Sequence, residues 1–352
     1  MLDNYHTDTP VPIVDLDIVA RNIARLQTIC DTAGVQNMPH FKTHKSLRIA
    51  QMQIDAGAVG ITCQKLAEAE ILAAAGFGNI LISYNVLGSA KAARLQQVAE
   101  KTALTVACDN PVVAQFLSKS MAGSRAAIMV LVECDTGRER SGVTSPKQAA
   151  DLASVIAGLP GLKFAGLMTY APAGDPAPTS NFVAQTRKLC AENGLEINRI
   201  SAGGTPGMAT IGQVGETEYR AGTYVYNDLM MIAAGAATQA DCALLVHATL
   251  VSNASPDRAI IDAGSKVLTS DTGGLDGFGL LIDYPEARIY ALAEEHGFVD
   301  LSACLQKPQI GEIVRVLPNH VCPVSNLQSD IGLTQNGHPA GQLKINARGA
   351  SK

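Results

Sequence analysis

Eight short apolar segments recur between residues 38 and 226, and helical patterns separate most of them. Apolar strands alternating with helices are typical of a parallel sheet that is buried on both faces. Eight such units close a (β/α)₈ TIM-type barrel in about 250 residues. We predict strands at 38–42, 59–63, 79–84, 104–108, 127–133, 164–168, 198–201 and 219–226, and helices at about 17–33, 45–56, 65–75, 89–100, 110–119, 146–157 and 180–193.

The alternative α/β architecture is an open, doubly wound sheet, which typically carries a GxGxxG turn after its first strand. No such turn follows residues 38–42. After about residue 235 the pattern changes to strands joined by Gly, Pro and Asp turns, at 242–251, 259–262 and 312–317. We therefore predict an α/β chain with a barrel over 10–238 and a β-rich domain over 239–352, which the N-terminal segment 1–17 joins.

Composition and charge exclude several classes of partner. The 352 residues carry a net charge of −5 and no run of Lys and Arg, so nucleic-acid binding is not expected. No apolar stretch approaches the roughly 20 residues of a membrane span. Met1–His6 lacks the pattern of a signal peptide. The eight cysteines are scattered without CxxC pairs, which is typical of reduced thiols in a cytoplasmic protein.

The stretch Met38–Lys45 (MPHFKTHK) places one lysine between two histidines. On an extended segment the side chains of His40, Lys42 and His44 share one face. Burial and nearby positive charge lower the pKa of a lysine, which makes its amine a nucleophile for Schiff-base chemistry. The alternative is a solvated basic patch at the end of a strand. His40 and His44 either tune Lys42 and line a pocket or pack in the core.

Active sites of parallel barrels lie at the C-terminal ends of the strands, and phosphate sites often use the loops after strands seven and eight. Lys42 ends the first predicted strand, and Gln64 lies just beyond the second. The turn Ser201–Thr205 follows the seventh, and Arg220–Thr223 belongs to the eighth. Glycines beside a hydroxyl residue form backbone N–H nests for phosphate. A lysine combined with two such turns describes a pyridoxal phosphate site.

With these motifs the chain resembles the D-threonine aldolase and D-serine dehydratase family. These are fold-type III pyridoxal phosphate enzymes, related to alanine racemase. The resemblance covers nearly the whole chain. It is carried by PHxKTHK at 39–45, Gly-Gly-Thr at 203–205 and Arg-x-Gly-Thr-Tyr at 220–224, and further by 135–143 (DTGRERSGV), 262–266 (DAGSK) and 318–322 (PNHVC).

The resemblance implies an N-terminal barrel, a C-terminal β domain, a homodimer and a Schiff base at Lys42. It also implies an arginine near the cofactor ring, for which Arg140 and Arg220 match the pattern, and it implies that Tyr170 lines the pocket. Together with the strand-end argument, the residues expected at the cofactor are Lys42, His40, Gln64, Arg140, Tyr170, Gly203, Gly204, Thr205, Arg220, Gly222, Thr223 and Tyr224.

His320 and Cys322 are two residues apart, so on an extended segment both side chains point the same way. Imidazole and thiolate are good zinc ligands, and a site with only two protein ligands keeps positions open for water or substrate. In isolation, such a pair is more often a buried cysteine beside an unrelated histidine. The resemblance implies that the pair is the family's metal site, with zinc expected and manganese or magnesium as alternatives.

The implied activity is that of a pyridoxal phosphate- and metal-dependent lyase acting on small D-3-hydroxy amino acids, in which Lys42, His320 and Cys322 are catalytic. D-threonine aldolase-type cleavage to glycine and an aldehyde is expected, and dehydration to a 2-oxo acid and ammonia is the alternative. Residues 171–175 lack the histidine that some aldolases carry after Tyr170, and the HxC pair is associated with dehydratases. The runs 166–170 and 224–228 resemble those of aldolases.

Two further functions are considered. A racemase needs a second acid/base on the opposite face of the cofactor, and the C-terminal region shows no clear tyrosine motif for it. A non-catalytic pyridoxal phosphate-binding protein is generally a single barrel, so the extra β domain and the HxC pair disfavour it.

Overall fold

A computed structural model describes residues 8–352. Residues 1–7 lie outside the described residues. The first part of the predicted joining segment 1–17 therefore lies outside them too, and so does the stretch for which no signal peptide is expected. The described chain divides into two compact units. The barrel unit comprises residues 24–42, 49–222 and 350–352, and the β unit comprises residues 8–23, 43–48 and 223–349. No described helix is long and apolar enough to cross a membrane.

The barrel unit contains one eight-stranded sheet in which every strand pair is parallel. Elements are numbered along the chain, beginning with β1 (Val11–Asp15) and α1 (Leu16–Ala33). The sheet strands are β2 (Gln36–Asn37), β3 (Ile61–Cys63), β4 (Asn79–Ile82), β5 (Ala103–Cys108), β6 (Ile128–Cys134), β7 (Leu162–Thr169), β8 (Arg199–Ala202) and β9 (Glu218–Tyr219). They follow the order β2-β9-β8-β7-β6-β5-β4-β3.

The two ends of this sheet meet through a parallel bridge between His40 and Thr62. The Phe41 N–H donates to Thr62 O at 2.7 Å, and the Thr62 N–H donates to Pro39 O at 2.8 Å. These bonds join the segment after β2 to β3 and close the sheet. The predicted (β/α)₈ barrel is confirmed.

Helices connect the barrel strands at the predicted places, and two of them show why they begin where they do. Asn110 Oδ1 accepts from the Val113 N–H at 3.0 Å, and Ser145 Oγ accepts from the Gln148 N–H at 3.3 Å. Each cap satisfies a backbone donor of a first turn, and a proline follows it. The helices are α2 (Leu47–Asp55), α3 (Leu66–Ala74), α4 (Ala92–Ala99), α5 (Pro111–Ser120), α6 (Pro146–Ala157) and α7 (Ala177–Glu192).

The core of the barrel unit combines an apolar cluster with a buried ion pair. The apolar cluster is formed by Met38, Leu81, Ala107, Leu131 and Met168. Arg199 Nε lies 2.7 Å from Glu218 Oε2, and its Nη1 donates to Thr105 Oγ1 at 2.8 Å. Because both charges are paired and hydrogen-bonded, burial does not leave either one uncompensated.

The β unit is β-rich, as predicted. Its strand β1 pairs antiparallel with β10 (Leu244–Ser255), and on its other edge it pairs parallel with β16 (Asp330–Gln335). The remaining strands are β11 (Arg258–Ile261), β12 (Leu280–Leu281), β13 (Arg288–Leu292), β14 (Gly297–Asp300), β15 (Ile313–Leu317) and β17 (His338–Lys344), and the helices are α8 (Leu229–Ala233), α9 (Ser265–Leu268) and α10 (Val321–Leu327).

The predicted strand at 38–42 is wrong in its position, since β2 is Gln36–Asn37, and so is the shared strand face that was inferred from it. Strand pairing ends at the His40 bridge, and residues 41–44 form a turn. Lys45 then adopts a left-handed φ of 49° before α2 begins. Side chains do not alternate in a turn, so His40, Lys42 and His44 do not share a strand face. Lys42 is exposed, whereas the sequence suggested an inward-facing lysine on a buried strand.

The predicted strand at 219–226 is also shorter than expected. Only Glu218–Tyr219 forms a strand, and Thr223–Val225 is a 3₁₀-helix. Apolar and aromatic residues in this run suggested a strand, but a short apolar run does not distinguish a strand from a buried helical turn.

Substituting Gly166 by alanine should destabilise the barrel unit strongly. Gly166 has a φ of +141°, and an added Cβ would lie 1.9 Å from the backbone oxygen of Arg199 on the neighbouring strand. We expect the free energy of unfolding to fall by about 3 kcal/mol or more. The matched control is Gly78→Ala, whose Cβ would meet nothing within 4 Å. Urea denaturation of both variants measures the difference, and equal midpoints would show that β7 and β8 do not pack as described.

Candidate active site

His40 is held in one orientation by residues at the ends of the first three barrel strands. Its Nε2 lies 3.2 Å from Gln64 Oε1 and 3.2 Å from Ser83 Oγ. Its Nδ1 accepts from the Lys42 backbone N–H at 3.3 Å. A neutral imidazole that accepts at Nδ1 carries its proton at Nε2, so Gln64 Oε1 and Ser83 Oγ are the acceptors available to that proton. His40 therefore fixes the turn that carries Lys42. Ser83 was missed from the sequence, although it follows β4 directly.

His44 belongs to the β unit, whereas His40 and Lys42 belong to the barrel unit. It is fully buried, and its Nδ1 accepts from the Ser46 N–H at 3.2 Å. A ring engaged by the backbone of its own turn stabilises the entry to α2. Core packing thus accounts for the observed contacts of His44.

The turn after β8 is shaped by Gly203 and Gly204. A Cβ on Gly203 would lie 2.0 Å from the ring of Tyr219, and one on Gly204 would lie 2.2 Å from the ring of Tyr170. Only glycine lets two aromatic rings lie against this backbone. Among residues 8–352, the N–H groups of both glycines form no hydrogen bond. Buried Thr205 begins a 3₁₀-helix over Thr205–Thr210. The turn therefore offers backbone donors of the kind that hold phosphate.

Arg220 is a buried arginine whose Nε–H donor is unused. Its Nη2 donates to the backbone oxygens of Thr169 and Ser201. Its buried Nε has no hydrogen-bond partner within the described chain. Burial lowers the pKa of Arg220, whereas the charges of Glu218 and Glu133 raise it. A buried N–H without a partner is costly, so this donor fits an acceptor such as a cofactor ring nitrogen.

A basic loop lies against Tyr170, which directly follows β7. The guanidinium carbons of Arg138 and Arg140 lie 4.9 Å and 5.5 Å from the centre of the Tyr170 ring. Asp135 Oδ1 accepts from the Gly137 and Arg138 N–H groups and orders the loop. Both arginines are attracted to the face of the ring. Arg138 was missed because its position in DTGRER has no strand-end signal.

Glu133 is a second residue that the sequence did not single out. This buried carboxylate accepts from Ser141 Oγ at 2.8 Å. Burial raises its pKa, and the Ser141 hydrogen bond and the charges of Arg220 and Arg140 act in the opposite direction. Glu133 thereby places a carboxyl group within the electrostatic influence of the two arginines predicted at the cofactor.

The structure divides the predicted cofactor residues between the two units. Gly222 is the last residue of the second barrel-unit segment, and Thr223 and Tyr224 belong to the β unit. Tyr224 is buried and lies in the 3₁₀-helix Thr223–Val225. The barrel unit holds the other ten predicted residues: Lys42, His40, Gln64, Arg140, Tyr170, Gly203, Gly204, Thr205, Arg220 and Gly222.

His320 and Cys322 do not lie on an extended segment, as the sequence suggested. His320 is the N-cap residue of α10, and Cys322 lies in the first turn of that helix. The helix does not separate the two side chains. Burial lowers the pKa of His320, but the hydrogen bond and charge of Cys322, with smaller effects of Asp271 and Asp228, raise it to about 9. Cys322 thus acts on the His320 ring from the first turn of a helix, and the joint role of the two side chains as metal ligands stays a prediction.

The surroundings of this pair fit a metal site with open positions. His320 Nδ1 lies 2.7 Å from Asp271 Oδ2. Cys322 Sγ donates to Thr43 Oγ1 at 3.3 Å and lies 3.9 Å from Thr223 Oγ1. The part of the chain described here has no group of three or more His, Cys, Asp and Glu residues that could hold a metal ion. A nitrogen and a sulfur donor suit zinc, and two protein ligands leave positions for water or substrate.

Comparisons with known families divide the chain at the same place as the change in sequence pattern. Residues 14–229 match the family described as "Alanine racemase, N-terminal domain". Residues 243–333 match the "Putative serine dehydratase domain". The first match alone covers more than half of the chain.

Individual relatives match over nearly the full length. The chain is 34% identical to a D-threonine aldolase from Arthrobacter sp, over 98% of this chain and 94% of the relative. The crystal structure of D-threonine aldolase from Filomicrobium marinum matches with a TM-score of 0.90 and 32% identity, over 98% and 97% of the two chains. A cysteine-to-alanine mutant of D-threo-3-hydroxyaspartate dehydratase in the metal-free form matches with a TM-score of 0.86 and 29% identity, over 96% and 98%.

The fold, the lysine turn at the barrel rim and these matches agree with the resemblance seen in the sequence. The chain belongs to the alanine racemase-like, fold-type III family of pyridoxal phosphate enzymes, within which it is similar to D-threonine aldolases and D-threo-3-hydroxyaspartate dehydratases.

Proposed function

We propose that this protein is a pyridoxal phosphate- and divalent metal-dependent lyase that cleaves D-3-hydroxy amino acids to glycine and an aldehyde. Similarity to a D-threonine aldolase over 98% of the chain supports this reaction. One observation carries the proposal. Cys322 Sγ contacts Thr43 Oγ1 at 3.3 Å, and Thr43 directly follows Lys42 in the sequence. Within the β unit, the residue that follows the proposed cofactor lysine in the chain therefore contacts the cysteine of the proposed metal pair.

The residues of the barrel unit would hold the cofactor. When bound, pyridoxal phosphate withdraws electrons from the substrate Cα. Lys42 would provide the amine that binds it covalently, since its side chain is exposed at the barrel rim. The free N–H groups of Gly203 and Gly204 would bind phosphate oxygens, and Arg220 Nε would donate to the ring. His40 would keep the lysine turn in place through the Lys42 backbone N–H.

His320 and Cys322 would hold the metal. When bound, a divalent metal acts as a Lewis acid toward an oxygen such as the substrate's β-hydroxyl. Zinc suits the nitrogen and sulfur donors better than manganese or magnesium, which prefer oxygen. Thr43 and Thr223 supply hydroxyl groups next to the sulfur. The proposal also includes a homodimer, which the family resemblance implies, and a cytoplasmic location, which the scattered cysteines suggest.

Dehydration to a 2-oxo acid and ammonia is the second candidate. The match to D-threo-3-hydroxyaspartate dehydratase supports it, and so does the cysteine at the second position of the metal pair. Both reactions use the same cofactor and metal, and they differ in which bond at Cβ breaks.

Incubation with D-threonine should yield glycine and acetaldehyde. The products follow from cleavage of the Cα–Cβ bond after the β-hydroxyl loses its proton. Chromatographic detection of glycine and an aldehyde assay measure the reaction. L-Threonine is the control substrate and should remain unchanged. Appearance of 2-oxobutyrate and ammonia in place of glycine would assign the dehydratase reaction instead.

Replacing Lys42 by alanine should abolish the visible absorbance band of lysine-bound pyridoxal phosphate. Lys42 provides the amine of the covalent linkage, so no other lysine should restore the band. Borohydride reduction of the wild-type holoenzyme followed by peptide mapping should place the label on Lys42. The control Lys101→Ala removes an exposed lysine and should keep the band. A persistent band in Lys42→Ala, or label elsewhere, contradicts the assignment.

Removing the metal should stop the lyase reaction without releasing the pyridoxal phosphate. After dialysis against a chelator we expect at least a 100-fold loss of kcat, recovered by adding Zn²⁺, because the Lewis acid is lost. His320→Asn and Cys322→Ser should behave like the chelated protein, whereas His338→Asn, at an exposed histidine, should retain activity. Atomic absorption measures the bound metal. Full activity in protein shown to be metal-free is incompatible with the proposed role.

A further inference from the structure

The loop before β12 places a carboxylate on the histidine of the metal pair. Asp271 Oδ2 lies 2.7 Å from His320 Nδ1, across 49 residues of sequence. The Asp271 side chain is 48% exposed and that of His320 is 26% exposed, so the contact is only partly shielded from water. A carboxylate oxygen accepts the hydrogen bond, so Nδ1 of His320 is the donor in this contact.

The Asp271 loop is tied to the chain segment that carries the two predicted ligands. Asn319, the residue before His320, is buried, and its Nδ2 donates to Thr272 O at 3.2 Å and to Gly277 O at 2.9 Å. The Gly273 N–H donates to Asp271 Oδ1 at 3.0 Å, which fixes the carboxylate. Because Asn319 binds the loop at two residues that follow Asp271, and the Gly273 N–H holds the carboxylate itself, the position of the carboxylate is set by the fold.

The start of α10 is held by a different aspartate. Asp228 is fully buried, and its Oδ2 accepts from the Val321 N–H at 3.1 Å while its Oδ1 accepts from the Met231 N–H at 3.0 Å. These bonds fix the backbone between His320 and Cys322. The backbone of the pair is therefore secured without Asp271, whose contact is limited to the imidazole ring. A change at Asp271 thus tests the orientation of one ring.

We propose that Asp271 is a positioning residue for metal binding: it holds the His320 ring with the proton on Nδ1 and leaves Nε2 as the metal-binding nitrogen. Metal-ligating histidines usually donate their other N–H to a carboxylate or carbonyl, which fixes the tautomer and raises the basicity of the ligand. This inference rests on the metal site of the proposed function. Without Asp271 the ring can rotate and its tautomers can exchange, so binding must first select one arrangement.

The test compares Asp271→Ala and Asp271→Asn with the wild-type holoenzyme containing pyridoxal phosphate. The measured quantity is the dissociation constant of Zn²⁺, determined by competition with a chromophoric chelator. We expect about 10- to 100-fold weaker binding for Asp271→Ala. Asp271→Asn should be intermediate, since its amide oxygen can still accept from Nδ1 but carries no charge.

The matched control is Asp276→Asn, which removes a carboxylate from the same loop. Asp276 pairs with Arg288 at 2.6 Å and has no contact with His320. Its Zn²⁺ dissociation constant should equal that of the wild type. Thermal unfolding of the metal-free variants should give equal midpoints, which separates loss of positioning from loss of folding.

Absorption spectra of the Co²⁺-substituted proteins provide a second readout. The d–d bands report the geometry of the ligands, so Asp271→Ala should shift or broaden them relative to the wild type and Asp276→Asn.

A Zn²⁺ dissociation constant in Asp271→Ala within twofold of the wild-type value overturns the proposal. A wild type that binds no metal overturns both this proposal and the metal in the proposed function. Because binding is measured without turnover, wild-type protein that binds Zn²⁺ but yields no lyase product rejects the proposed reaction alone.

Discussion

Closure of the parallel sheet at the His40–Thr62 bridge is the constraint on which the proposed chemistry depends. The first barrel strand has only two residues. The Thr62 N–H donates to Pro39 O and the Phe41 N–H donates to Thr62 O, and these two bonds close the sheet. Because pairing stops at His40, the next residues are free to turn. Lys42 consequently lies at the C-terminal edge of the sheet, where parallel barrels collect their functional side chains. A longer first strand would have kept the lysine within the sheet.

Two arginines near the ends of neighbouring barrel strands differ in how their N–H donors are used. Each of the three guanidinium nitrogens of Arg199 donates at least one hydrogen bond, to Glu218, Thr105 or Met38, so this arginine has a structural role. Arg220 donates to backbone oxygens, and its buried Nε remains without a partner among the described residues. A fold does not benefit from an unused buried donor. The contrast supports a role for Arg220 in binding a group that the polypeptide itself does not supply.

The strands and helices of the barrel could be predicted from the sequence, whereas the exact residues at which the strands end could not. Apolar runs and helical spacing located the strands and helices well, because burial leaves local patterns in the sequence. Where strand pairing ends at His40 depends on Thr62, 22 residues away, so the turn at Lys42 was not visible. The proximity of His320 and Cys322 was expected from their spacing, yet a helix start produces it. Asp271 could not be found because only the folded loop brings it to His320.

Under the proposed function, the contacts of the histidines in the lysine turn restrict which group can take the proton of the β-hydroxyl. His40 uses Nδ1 to accept from the Lys42 N–H and Nε2 to bind Gln64 and Ser83. His44 is fully buried and accepts from Ser46. Neither ring has the exposed, unengaged nitrogen that a general base requires. Residues 171–175 contain no histidine either. The histidines of the lysine turn therefore do not decide between carbon–carbon cleavage and loss of hydroxide, and the proposed metal pair His320–Cys322 is where the oxygen that distinguishes the two reactions would bind.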